Sequence, residues 1–115
     1  MDEKLSQALE RSNYMTTLAT QKRLLAEKYQ TDLIYYKDGH EIEVTDSLIT
    51  FCKALVDLDR PSVVLTDANN LPFLVEDIQE FLTELLDCYA QASNSYYTEY
   101  QKLKKQRSVE GLVDL

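Results

Sequence analysis

One helical pattern runs without interruption from Val75 to about Arg107, and it limits what this chain can fold into. Apolar residues recur there at steps of three and four, the spacing of one face of an α-helix. Neither glycine nor proline breaks the run, which starts with acidic residues such as Glu76 and ends with basic residues such as Lys105. Charges of these signs favour the two ends of a helix dipole. The sequence therefore predicts one helix of roughly 30 residues, about 45 Å long.

The length of this helix predicts that its distal apolar face must pack against another segment. A compact domain of this size has a radius of gyration of about 13 Å, so we expect a straight helix to extend past it. The distal half of the helix carries tyrosines and small residues, and a tyrosine ring suits a partly hydrated contact surface. This packing partner is either the N-terminal helix of the same chain or another copy of the chain. The candidate interface residues are Ala92, Tyr96, Tyr97, Tyr100 and Leu103.

Charge and composition exclude several classes of function. The formal charge of −8 argues against general binding to nucleic-acid backbones and to anionic membranes, because both need clustered positive charge. No apolar run reaches the roughly 18 residues of a membrane-spanning helix. The first residues lack the apolar core of a signal peptide. We therefore expect a cytoplasmic protein without a nucleic-acid or membrane partner.

Before the long helix, the sequence predicts a first helix and a β-hairpin. Residues 2–29 carry a ragged apolar face diluted by serine and threonine, so this helix depends on packing against a partner. Residues 33–36 and 41–44 have patterns typical of strands. Between them, Asp38 and Gly39 supply the positive φ angles of a type I′ turn, which predicts a hairpin.

A short helix and two further strands follow the hairpin. Thr45 or Asp46 caps a helix that runs to about Leu58, and Pro61 prevents its continuation. Residues 63–65 and 71–75 are typical of short strands around a turn. They form either a hairpin of their own or an addition to the first sheet.

The predicted fold is α+β and mostly helical, with two long end helices packed antiparallel. A β-hairpin, a short helix and a second small hairpin lie between them. The hydrophobic share of 44% is enough for one modest core, so we predict a single domain over residues 1–107. Residues 108–115, which include Gly111, are predicted to form a C-terminal tail.

The chain has few residues of the types that catalyse reactions. His40 is the only histidine and sits beside a hairpin turn, where we expect it to be exposed. Cys52 and Cys88 each fall in an apolar helical pattern, which indicates buried free thiols in a reducing compartment. Neither a glycine-rich phosphate loop nor a Cys/His zinc spacing is present. We therefore predict no catalytic site and no cofactor.

One acidic stripe is the exception. Four carboxylates share a side of the long helix at steps of three and four: Asp77, Glu80, Glu84 and Asp87. Carboxylates placed in this way bind divalent cations. Some all-helical nucleotide pyrophosphatases use such faces, and the interval from Glu84 to Asp87 matches one of their two spacings. The other helices supply no paired carboxylates at these spacings, so a hydrated helix face is the simpler interpretation.

The C-terminal third carries a resemblance to known proteins. The segments Leu-Pro-Phe-Leu-Val-Glu-Asp at 71–77 and Tyr-Tyr-Thr-Glu-Tyr-Gln-Lys-Leu-Lys-Lys-Gln-Arg-Ser-Val at 96–109 resemble small uncharacterised proteins of marine T4-like tailed phages. The resemblance implies a small protein made in the infected bacterial cytoplasm, as a virion component or an assembly factor. The resemblance does not imply any catalytic or binding residues.

These observations favour a non-enzymatic structural or interaction protein that self-associates or binds a protein partner. A phage virion component or assembly factor is the specific form of this hypothesis. Two alternatives stay open. One is a divalent-metal-dependent nucleotide hydrolase that uses the carboxylate stripe, and the other is an acidic inhibitor of a host protein.

Overall fold

The computed structural model describes residues 2–110, with side chains through Gln106. Within these residues the chain forms three helices and four strands. In chain order they are α1 (Glu3–Asp32), β1 (Ile34–Lys37), β2 (His40–Glu43), α2 (Asp46–Asp57), β3 (Val63–Thr66), β4 (Pro72–Val75) and α3 (Ile78–Glu110). The predicted α+β, mostly helical fold is confirmed.

The long helix α3 is continuous over its 33 residues, as the uninterrupted apolar pattern predicts. It continues past the predicted end at Arg107 because the sequence contains no helix breaker before Gly111. The remainder of the predicted tail, residues 111–115, lies outside the described residues.

The four described strands pair as two separate antiparallel hairpins, β1 with β2 and β3 with β4. In the first hairpin, the two turn residues Asp38 and Gly39 have φ angles of 51° and 80°, as a type I′ turn requires. Lys37 and His40 therefore close the turn as a cross-strand pair. Of the two arrangements left open for β3 and β4, the structure has the independent hairpin.

Helix α2 begins and ends where its local chemistry predicts. Thr45 is the N-cap, and its side-chain oxygen accepts a hydrogen bond from the N–H of Leu48 at 3.1 Å. This bond satisfies one of the N–H groups that lack a partner in the first turn of a helix. The helix ends at Asp57, before Pro61.

Residues 30–93 form one compact unit, which we call the mixed unit. Its core collects side chains from both hairpins, from α2 and from the start of α3. The buried members are Ile42, Val44, Cys52, Val75, Ile78, Phe81, Leu82 and Leu85. Each fully buried leucine or phenylalanine contributes about 1.5–3 kcal/mol by leaving water, so this cluster is the main apolar stabilisation of the unit.

Residues 2–29 and 94–110 form a second compact unit, which we call the two-helix unit. Here α1 and the distal part of α3 pack antiparallel, because Tyr29 lies against Tyr96 while Leu18 packs with Leu103. The buried side chains of this cluster are Tyr14, Leu18 and Leu103, with Leu25 partly buried beside them. The predicted antiparallel packing of the two end helices is thus present in this unit.

Both cysteines are free thiols. Cys52 is fully buried, and the Cys88 thiol donates a hydrogen bond to the carbonyl oxygen of Asp32 at 3.4 Å. Burial raises the pKa of both thiols, and the charge of Asp32 raises that of Cys88 further. Among residues 2–110, no helix combines the length and the apolarity that a membrane crossing needs.

Candidate functional site

His40 and Asp67 form a well-connected polar pair in the mixed unit. His40 Nδ1 lies 2.7 Å from Asp67 Oδ2, and the imidazole ring stacks on Phe73 with the ring centroids 4.9 Å apart. Beside this pair, the N–H of Ala68 donates to the carbonyl oxygen of Glu41 at 2.8 Å. These contacts join the first hairpin to the turn of the second.

The turn between β3 and β4 holds Asp67 in place. Its second carboxylate oxygen accepts hydrogen bonds from the backbone N–H groups of Asn69 at 2.8 Å and Leu71 at 2.9 Å. The side chain of Asp67 is 1% exposed. The hydrogen bond with His40, followed by the backbone N–H of Leu71, lowers the pKa of Asp67 below its ordinary value.

A carboxylate that orients a histidine through Nδ1 is also the arrangement that prepares a general base. In an enzyme the second ring nitrogen then acts on a nucleophile or a substrate proton. The raised pKa values of Cys52 and Cys88 lower the thiolate fraction of both candidate nucleophiles. This geometry directly supports a structural role, in which the pair links the two hairpins through a polar contact.

The expectation that His40 is exposed is wrong. Its side chain is 25% exposed, because Phe73 covers one ring face and Asp67 occupies Nδ1. Sequence reasoning missed this pair because Asp67 fits the local turn pattern equally well without it. A histidine at the closing position of a two-residue hairpin was the one signal that pointed to the site.

A second polar cluster joins the first hairpin to α3. Glu84 accepts hydrogen bonds from Lys37 Nζ and from the Tyr35 hydroxyl, each at 2.8 Å, and Lys37 Nζ lies 5.8 Å from the centroid of the Phe81 ring. Burial alone would raise the pKa of Glu84, but these two hydrogen bonds outweigh it and lower the pKa. The bond to Glu84 raises the pKa of Lys37. Each charge thus stabilises the other.

This cluster includes one member of the predicted carboxylate stripe, because Glu84 already accepts hydrogen bonds from Lys37 and Tyr35. Asp77 caps α3 instead, with its Oδ1 accepting from the N–H of Glu80 at 3.1 Å. The side chains of Glu80 and Asp87 are exposed. Across the part of the chain that the structure describes, no three His, Cys, Asp or Glu side chains are placed to share a metal ion. Glu84 and Asp77 therefore have separate structural roles in this geometry.

The five candidate interface residues lie in different environments. Ala92 and Leu103 are buried, and Tyr96 stacks on Tyr29 with ring centroids 4.7 Å apart. Tyr100 is half-buried. Tyr97 is 67% exposed. Packing within the chain thus accounts for Tyr96 and Leu103, whereas Tyr97 presents a large ring to solvent, and the assignment of all five to an interface stays a prediction.

Comparison with known proteins gives no match. No protein-family model matches the sequence, and neither a curated protein nor a solved structure matches the chain.

Proposed function

We propose that this chain is a non-enzymatic interaction protein that self-associates through its two-helix unit. Two helices that pack along one line of contact can bury only one stripe each. In the described part of the unit that contact is small, with Tyr14, Leu18 and Leu103 as its buried side chains. Helices of ordinary propensity draw most of their stability from packing, so a second pair of helices would stabilise this one.

The exposed ring of Tyr97 is the observation that carries the proposal. Its side chain is 67% exposed in the half of α3 that packs on α1. Tyrosine is enriched at protein interfaces because it offers a large contact area with a polar tip. On α1, Met15 is 45% exposed. Both side chains belong to apolar surface that the two helices do not cover for each other.

Helical geometry places these exposed residues on one side of the pair. The other side holds a groove of about 400 Å³ whose lining surface is mostly apolar, although polar side chains border it. Its lining residues are Gln21, Leu24, Leu25, Glu99, Lys102, Leu103 and Gln106. At 3.6 residues per turn, Met15, Ala19 and Ala26 lie away from this groove on α1, and Tyr97 and Tyr100 lie away from it on α3.

The side opposite the groove therefore combines small residues on one helix with tyrosines on the other. Alanine lets a second helix approach closely, and the tyrosine rings supply contact area. We call this side the alanine–tyrosine face, defined by Met15, Ala19, Ala26, Tyr97 and Tyr100. A second copy that docks there by the same face would form a closed two-fold dimer of helix pairs.

Sedimentation velocity at a series of micromolar concentrations tests the proposal. We expect the wild-type protein to sediment as a dimer or larger species, because the apolar face is covered only in the assembly. The Tyr97→Ser variant should shift towards the monomer. Tyr36→Ser is a matched control, because Tyr36 is also 67% exposed but lies in the mixed unit.

Two results would count against self-association. One is a strictly monomeric wild-type protein over the whole concentration series. The other is an equal effect of the Tyr97 and Tyr36 substitutions, which would remove the role of the alanine–tyrosine face.

The resemblance of segments 71–77 and 96–109 to small proteins of marine T4-like tailed phages supports a more specific form of the proposal. In that form the protein acts in an infected bacterial cytoplasm, as a virion component or an assembly factor. Mass spectrometry of purified virions distinguishes the two roles, because a virion component stays with the particle and an assembly factor does not.

A further inference from the structure

The outer face of the second hairpin is apolar, which is unusual for a strand face turned to solvent. The register pairs Val64 with Leu74 and Thr66 with Pro72 on this face. Val64 is 63% exposed and Leu74 is 58% exposed. Antiparallel hairpins with one buried face normally carry polar residues on the other. Here the opposite face of each strand already packs on the core, through side chains such as Leu65 and Phe73.

The first hairpin provides a comparison within the same unit. Its outer face pairs Ile34 with Glu43 and Tyr36 with Glu41, so each cross-strand pair includes a carboxylate. The Tyr36 hydroxyl donates to Glu41 Oε1 at 3.2 Å. That face is suited to water, whereas the outer face of the second hairpin has no charged residue.

The backbone of β3 also has an edge without a neighbouring strand. Within residues 2–110, β3 pairs with β4 alone. Strand β4 includes Pro72, which lacks an N–H and so weakens its own outer edge. Strand β3 contains no proline, so its outer edge keeps the N–H and C=O groups that an added strand would use. Just past the strand, the N–H of Ala68 already donates to the carbonyl oxygen of Glu41, so an added strand would end before that point.

The surrounding charge indicates what such an added strand would carry. Residues 30–93 contain thirteen acidic and three basic side chains, a formal charge of −10. The open end of the second hairpin adjoins a groove of about 440 Å³ that Asp59, Arg60, Glu76 and Asp77 help to line. Basic side chains of a partner would be attracted to this surface and would approach it faster.

We propose that the outer face and free edge of the second hairpin bind an extended, basic segment of a partner protein. In this segment apolar residues alternate with lysine or arginine. The apolar side chains extend the outer face that Val64 and Leu74 form, next to Val64. The basic side chains point to the opposite side of the added strand, towards the acidic groove. This inference rests on the proposed interaction role but concerns a surface of the mixed unit.

The test uses the full chain and a short fluorescent peptide in which lysine alternates with valine or leucine. Fluorescence anisotropy measures the dissociation constant, and amide chemical shifts locate the peptide on β3 and β4. The double variant Val64→Thr, Leu74→Thr keeps β-branched or strand-compatible residues at exposed positions, so we expect it to fold. It should weaken peptide binding about tenfold or more, because both apolar contacts are lost.

Tyr36→Thr is the matched control on the first hairpin, and we expect it to leave the dissociation constant within about twofold of wild type. A second variant, Asp59→Asn with Glu76→Gln, should weaken binding and reduce its dependence on salt. Equal binding of a peptide with serine in place of valine and leucine would overturn the inference, since it would show ionic adsorption alone. An unchanged dissociation constant for the Val64, Leu74 variant would also overturn it.

Failure of this inference is distinguishable from failure of the proposed self-association. The Val64, Leu74 variant should sediment as wild type does. The Tyr97→Ser variant should bind the peptide as wild type does. A wild-type protein that binds the peptide but stays monomeric would overturn self-association alone. A wild-type protein that self-associates but does not bind the peptide would overturn this inference alone.

Discussion

Asp67 holds three hydrogen bonds with one buried carboxylate. His40 binds one oxygen at 2.7 Å, and the backbone N–H groups of Asn69 and Leu71 bind the other. These donors, first among them His40, lower the pKa of Asp67 in the folded protein. A carboxylate with a lowered folded pKa stabilises the protein above its unfolded pKa. That contribution is lost as the pH falls through the folded pKa.

We therefore expect Asp67→Asn to lower the free energy of unfolding at neutral pH. The amide can still accept from the turn N–H groups, but it lacks the charge that the three donors stabilise. The difference from wild type should shrink as the pH falls below about 4, where Asp67 of the unfolded chain takes up a proton, and should be lost once the pH is below the folded pKa. Denaturant unfolding at a series of pH values measures this difference.

Asp87→Asn is the control, since Asp87 is an exposed acid of the same unit. It should change stability little at any pH. A gap between Asp67→Asn and wild type that stays constant into acid would show that the carboxylate charge is not responsible. If Asp67→Asn is as stable as wild type at neutral pH, the contact between His40 and Asp67 does not stabilise the unit.

Residues that act through their immediate neighbours were predictable from sequence. Asp38 and Gly39 fix the first turn through their own φ angles, and the side chain of Thr45 reaches an N–H only three residues away. The contact between His40 and Asp67 spans 27 residues. No periodicity or turn signal encodes a contact of that separation, because it depends on how two hairpins pack.

At the scale of the elements, the start of α2 depends on the side chain of its N-cap. Thr45→Ala removes the oxygen that accepts from Leu48 N–H, and we expect it to cost about 1 kcal/mol of stability. Thr50→Ala is the matched control, because Thr50 is an exposed position inside the same helix. It should be neutral or slightly stabilising, since alanine has the higher helix propensity.

Thermal or denaturant unfolding measures the change in stability for both variants. Equal destabilisation by the two substitutions would mean that the hydroxyl of Thr45 contributes nothing as a cap. A larger loss from Thr50→Ala would reverse the assignment.

The long helices show where sequence reasoning about elements succeeds and where it stops. The absence of glycine and proline predicted that α3 is continuous, and it is. The partner of each side chain was not predictable, because α1 has a weak apolar face that allows several registers. The stack of Tyr29 on Tyr96 and the packing of Leu18 with Leu103 select one register.

At the scale of the whole molecule, the charge is divided unevenly along the chain. Residues 30–93 have a formal charge of −10, whereas segments 1–29 and 94–115 together carry seven acidic and nine basic side chains, a formal charge of +2. The total of −8 conceals this division. The formal charge of each unit can be counted from the sequence only once the limits of the two units are known. The surface proposed to bind a basic partner therefore belongs to the acidic unit, and the face proposed for self-association belongs to the slightly basic one.

An isotope-filtered NOE experiment on a mixture of labelled and unlabelled protein tests the central claim of self-association most directly. The experiment detects contacts between protons of different copies. We predict NOEs from the ring of Tyr97 in one copy to the methyl groups of Met15, Ala19 or Ala26 in another. NOEs from Tyr97 that connect only to protons of its own copy would contradict assembly through the alanine–tyrosine face.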